Sequence, residues 1–132
     1  MDVDLKLDPE PTGVFEAIAR AKEALNINVE LAAPDDFIPE LPGWRGRSPF
    51  VDRYGRVDYH HYDFYAQALA KIERGHTQDT ADVVAMGSRG LIRAARLLEL
   101  FESIESSLLR YPAIDPASFR DRVLRAVSAI GP

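Results

Sequence analysis

A chain of 132 residues, 46% hydrophobic and 28% charged, has the composition of one folded domain with a real core, which excludes a disordered or fibrous protein. Its net charge of −5 excludes bulk electrostatic attraction to nucleic acid or to an anionic membrane. Because the sequence has no cysteine, disulfides, thiolate metal sites and a cysteine nucleophile are excluded too.

The first residues alternate, with Val3, Leu5 and Leu7 on one side and Asp2 and Asp4 on the other. Alternation of period two predicts a half-buried strand with both carboxylates facing out of the core. The polar, acidic start is unlike a secretory leader. No apolar run approaches the ~20 residues that cross a bilayer, so the sequence predicts a cytoplasmic protein without membrane contact. Asp8-Pro9-Glu10-Pro11-Thr12-Gly13 is a rigid turn in which Thr12 is a candidate helix cap. Val14, Phe15, Ile18, Ala21 and Leu25 then recur at helical spacing, and Asn26 is a suitable helix stop. Ile27-Asn28-Val29-Glu30-Leu31 is a second alternating strand, with Asn28 and Glu30 outward. Strand, helix and strand with short links form a βαβ-like unit.

Residues 33–46 hold three prolines and two glycines and predict an irregular loop, anchored to the core by Trp44. Asp35 or Asp36 is placed to open one helical turn carrying Phe37 and Ile38. Residues 50–52 and 57–62 flank Arg53-Tyr54-Gly55-Arg56, which predicts a β-hairpin turning at Gly55. From Asp63 the pattern is helical. Asp63 caps a helix to about Arg74, and Gly75 stops it. A second helix starts near Thr77 or Gln78 and ends before Gly87 or Gly90, and a third runs from about Leu91 to Arg110 before Pro112. Asp115-Pro116 opens a last helix through Ile130. The expected fold is α+β in one domain. Residues 1–62 build a small mixed β-sheet, strand–helix–strand plus hairpin, and residues 63–130 a bundle of about four helices.

Three constellations could carry chemistry. If the two strands are neighbours, Asp2, Asp4 and Glu30 converge, as solvated acids on an uncovered sheet face or as hard oxygen ligands for Mg²⁺. Lys71 and Arg74 share one helix face, and Asp79 and Asp82 share a face of the next helix. The turn at Gly75 folds these faces together, either as plain ion pairs or with Lys71 meeting a phosphate. Arg45, Arg47, Arg53 and Arg56 lie among Trp44, Tyr54 and Tyr59, a mixture that can grip a single nucleic-acid strand. Asp52 and Asp58 dilute that charge, and a solvated hairpin is the plainer reading. His60 and His61 point to opposite faces of one strand, so they cannot share a metal.

Asp2-Val3-Asp4-Leu5-Lys6-Leu7, a helix, and then Asn28-Val29-Glu30-Leu31 resemble the metal-binding strands of the nucleotidyltransferase superfamily, DNA polymerase β type. Lys71, Asp79 and Asp82 around Gly75 resemble a segment of bacterial nucleotidyltransferase-like proteins, including toxins of some toxin–antitoxin pairs. Pro34-Asp35-Asp36-Phe37 and Tyr111-Pro112-Ala113-Ile114-Asp115-Pro116 extend the likeness over most of the chain. The resemblance implies Mg²⁺ held by Asp2, Asp4 and Glu30, a nucleoside triphosphate donating its nucleotidyl group, and Lys71 at a phosphate, with Asp79 and Asp82 in support. The family's Gly-Ser element, which should precede the Asp-x-Asp strand, is missing from this sequence. Two expectations therefore stand side by side. One is a nucleotidyltransferase. The other is a catalytically silent, shortened homologue acting as a homodimer or as half of a toxin–antitoxin-like pair. A third, less favoured reading is a single-strand nucleic-acid binder using the arginine hairpin.

Overall fold

The apolar residues that recur at helical spacing in the second half of the chain meet in one core. The computed structural model describes residues 2–9 and 12–132, with Asp2 described by its backbone alone. Four helices enclose the core: α2 (Phe64–Arg74), α3 (Thr77–Ser88), α4 (Ala94–Ile104) and α5 (Pro116–Ile130). Leu69, Val83, Leu97 and Val123 are fully buried there around Phe101 and Phe119, whose rings meet edge to face at 4.9 Å. Each such side chain contributes roughly 1.5–3 kcal/mol of burial.

The helix boundaries follow local chemistry. Asp63 caps α2 by accepting the Tyr65 backbone N–H at 3.1 Å, and Gly75 ends it at a positive φ of 73°. Arg122 of α5 donates to the Glu73 carbonyl at 2.6 Å, so a cation from another helix completes that C-terminus. The helix expected over 91–110 is shorter. It begins at Ala94, and residues Glu105–Arg110 tighten into a 3₁₀ turn. Serines explain the change: the Ser103 hydroxyl donates back to the Leu100 carbonyl at 2.5 Å, and Ser106 and Ser107 are weak helix formers. The tighter turn still buries Leu108.

The front half supplies β1 (Asp2–Asp4), α1 (Val14–Leu25) and β2 (Asn28–Glu30). The two strands pair in parallel, with Asp2 opposite Asn28, Val3 opposite Val29 and Asp4 opposite Glu30. Gly13, at φ 80°, takes the helix-capping position predicted for Thr12, and Asn26 closes the helix at φ 51° as expected. β3 (Phe50–Tyr54) and β4 (Val57–His60) form the expected antiparallel hairpin, turning at Gly55 with φ 63°. Among the described residues the strands form two separate two-stranded sheets. The proline-rich loop 33–49 separates them, because it docks on the helices through Ile38 and Leu41 instead of passing between strands.

That loop is the joint of the molecule. Trp44 is buried and stacks on Tyr62 with ring centroids 4.8 Å apart. Lys6 and Arg45 lie over the Trp44 ring at 5.5 Å and 4.5 Å. Lys6 also pairs with Asp35 at 2.8 Å, and Arg45 with Asp8 at 2.7 Å, so the segment that follows β1 is tied to the loop. Arg47 ties the loop to the helices. It donates to Asp63 at 2.7 and 3.2 Å and to the Pro42 carbonyl at 2.6 Å. Asp63 is fully buried, so its charge relies on these partners. Asp63→Ala removes both the cap and the counter-charge of Arg47. Urea denaturation should show a loss of roughly 3 kcal/mol; a loss within the experimental scatter would mean that the joint does not depend on this pair.

Candidate functional site

The alternation that makes β1 a strand also sorts its side chains. Val29 is buried on the inner side, while Asp4 and Glu30 are exposed on the outer side. Their positions are direct register partners on parallel strands, so the two carboxylates stand side by side. The Asn28 side-chain amide donates to Glu30 Oε1 at 3.2 Å and steadies one of them. The Asp2 backbone pairs in register with Asn28. The Asp2 side chain lies outside the described residues. Among the described residues no three acidic or histidine side chains gather closely enough to hold a metal ion.

The second group lies at the α2–α3 turn, where the two helix faces fold together. Lys71 Nζ donates to Asp82 Oδ2 at 3.0 Å, and Gln78 donates to Asp82 Oδ1 at 2.8 Å. Arg74 makes a two-pronged contact with Asp79 at 2.8 and 2.5 Å. Asp79 is nearly buried, and its second donor is the His76 backbone N–H at 3.3 Å. The Arg74 hydrogen bonds hold the Asp79 carboxyl below the usual carboxylate range, against the opposing effect of burial. Lys71, and then Gln78, lower Asp82 in the same way. Arg74 is raised, first by Asp79 and also by the charge of Asp4. The Asp4 influence is the smaller, purely coulombic one, and among the described residues no hydrogen bond or ion pair joins the two groups. Lys71 sits one turn before Arg74 on the same helix face.

The basic run around the hairpin is largely neutralised. Arg45 pairs with Asp8, Arg47 with Asp63 and Arg53 with Asp58, which leaves Arg56 without an ion pair among the described residues. Trp44 is buried rather than offered for stacking on a base. A grip on nucleic acid therefore has little free charge to draw on. His60, the last residue of β4, has Nδ1 2.9 Å from the Ser48 carbonyl, and His61, just past the strand expected to hold it, packs near Phe64, so the two have separate partners.

Asn28 and Gln78 were not among the predicted site residues, although spacing could have found them. Asn28 is two residues from Glu30 on a strand, and Gln78 is four from Asp82 on a helix. A groove of about 650 Å³ lies on the opposite face of α3, lined by Gly75, Thr77, Thr80, Ala81, Val84 and Ala85. It has no charged side chain and belongs to neither group. Comparison with protein-family models, with curated proteins and with solved structures finds no match to this chain.

Because the Asp79 pKa is lowered on folding, its pairing contributes stability that is present above the unfolded carboxyl value, near ~4. That contribution is lost as pH falls through the lower folded value. The urea midpoint of the native protein should therefore fall on acidification through this window, and less steeply in Asp79→Asn. Parallel acid limbs for the two proteins would rule the pair out as a source of the pH dependence.

Proposed function

We propose that this protein binds Mg²⁺ together with a nucleoside triphosphate on the outer face of the β1–β2 sheet, and acts as a nucleotidyltransferase-like protein. The observation that carries this reading is the register of the parallel pair, which sets Asp4 against Glu30 on an exposed face. Two adjacent carboxylates suit Mg²⁺, which commonly takes one or two protein oxygens and completes its shell with water and substrate phosphate. Asp4 and Glu30 hold the ion, with Asp2 as the third ligand that the resemblance implies. Bound there, the metal would supply positive charge to the phosphate oxygens and to the attacking group.

The chain's own residues supply the rest. Lys71 offers a mobile point charge to a phosphate, for which it exchanges the Asp82 carboxylate. Arg74, fixed by Asp79, adds a standing positive field on the same side. Asp82 and Gln78 hold the lysine in place when no phosphate is present.

Titration calorimetry with MgCl₂ and each nucleoside triphosphate tests the reading. Wild-type protein should bind at least one of them. Asp4→Ala and Glu30→Ala should each weaken that binding by roughly tenfold or more, as expected when a metal ligand is removed. Lys71→Ala should weaken the triphosphate and leave the unphosphorylated nucleoside unaffected. No heat with any triphosphate on the wild type would overturn the proposal.

A further inference from the structure

The β3–β4 ribbon is the least satisfied part of the molecule. Every residue of both strands is exposed. Five large apolar side chains stand about half or more in water: Phe50 at 58%, Val51 at 52%, Tyr54 at 65%, Val57 at 55% and Tyr59 at 48%. A lone two-stranded hairpin is marginal in water, and this one covers neither of its faces. Beyond the ladder between β3 and β4, neither outer edge has a backbone partner among the described residues.

We propose that this ribbon is the interface through which two copies of the chain form a symmetric dimer. Charge selects a second copy as the occupant. Tyr54, Val57 and Tyr59 share one face and together expose roughly 300 Å² of apolar surface, so two copies would hide roughly 600 Å², the scale of a weak, dissociable contact. The chain as a whole carries −5, which opposes self-association over most of its surface. The ribbon is the exception. Asp52, Arg53, Arg56 and Asp58 sum to zero, and Arg53 and Asp58 already neutralise each other. Two copies can meet here without like-charge repulsion.

The pattern of side chains is also self-complementary. Asp52 pairs in register with Tyr59, and Tyr54 with Val57, so these four share one face. The rings of Tyr54 and Tyr59 touch there, edge to face, at 5.4 Å. Asp52, in mid-strand, and Arg56, in the turn, have no ion pair among the described residues and carry opposite signs. When two such ribbons lie face to face, with the turn of each against the strands of the other, Asp52 of each copy meets Arg56 of its partner. The aromatic pairs fill the space between the two charge pairs. A dimer of this kind has an isologous interface, as two-fold symmetry requires.

Sedimentation velocity and light scattering on the full chain, without metal or nucleotide, test this independently of any nucleotide binding. Wild-type protein should be a dimer that dissociates on dilution. The double variant Tyr54→Glu/Val57→Glu should be monomeric while keeping the native circular dichroism, since neither side chain supports the core. Asp52→Arg and Arg56→Asp should each weaken the dimer by roughly tenfold, and their combination should restore it, as a reversed pair does. A wild type that is monomeric at all concentrations would overturn the proposal. So would a dimer insensitive to Tyr54→Glu/Val57→Glu, or charge swaps that fail to rescue each other.

Discussion

The buried carboxylate of Asp63 is the constraint on which the rest of the molecule depends. It is fully enclosed, so its charge must be met at close range. One oxygen caps α2, and the other takes both hydrogen bonds from Arg47. Through Arg47 the loop 33–49 is held against the helices. Through the pairs Lys6–Asp35 and Arg45–Asp8 that loop in turn holds the segment that follows β1. These outer pairs are more exposed, so each is individually weak, and the chain of connections is only as firm as its innermost link. Apolar contacts strengthen that link, because Ile38, Leu41 and Trp44 bury themselves beside it.

The same pairing decides which charges remain for function. Of the basic residues near the hairpin, three are already engaged by Asp8, Asp63 and Asp58. What remains is local and specific. Asp4 and Glu30 stand beside each other on a bare sheet face, and Lys71 has only an exchangeable carboxylate partner. Asp52 and Arg56 stand apart on the ribbon. An acid that faces its neighbour across a parallel ladder repels it, and this repulsion is relieved by a cation. An apolar ribbon in water is relieved by another apolar surface. Each proposal answers one of these uncompensated features, and neither depends on the other.

Much of the architecture was legible in the sequence because its signals are local. Asp63, Gly75, Asn26 and Pro116 mark helix ends by their own backbone chemistry, and all four stand at such ends in the structure. The alternation in 2–7 and 27–31 gave both strands and put Asp4 and Glu30 on their outer side. The meeting of Lys71 and Arg74 with Asp79 and Asp82 also followed from helical spacing around a glycine turn. The misses are tertiary. Arg47 looked like one of a group of surface arginines, and no local pattern distinguishes a cation that will find a buried acid sixteen residues away. The division into two sheets is decided by where the loop between them buries Ile38 and Leu41, which strand periodicity does not reveal. The 3₁₀ turn over 105–110 preserves the apolar spacing that had suggested a continuous helix.

The two halves of the chain differ in how fully they meet their own physical demands. The helical half buries its aromatic pair and caps α2 at both ends, and its buried carboxylate Asp79 is paired. The front half does not. No side chain of α1 is buried among the described residues, and Phe15 and Leu25 remain in water. The parallel pair has only three residues in each strand, although parallel sheets are ordinarily covered on both faces. Such a half gains more from a ligand or a partner than the helical half can, because binding offsets costs that its own fold leaves in place. The stability of the front half should therefore be coupled to whatever occupies its surfaces, while the helical core supplies the fixed frame against which that coupling acts.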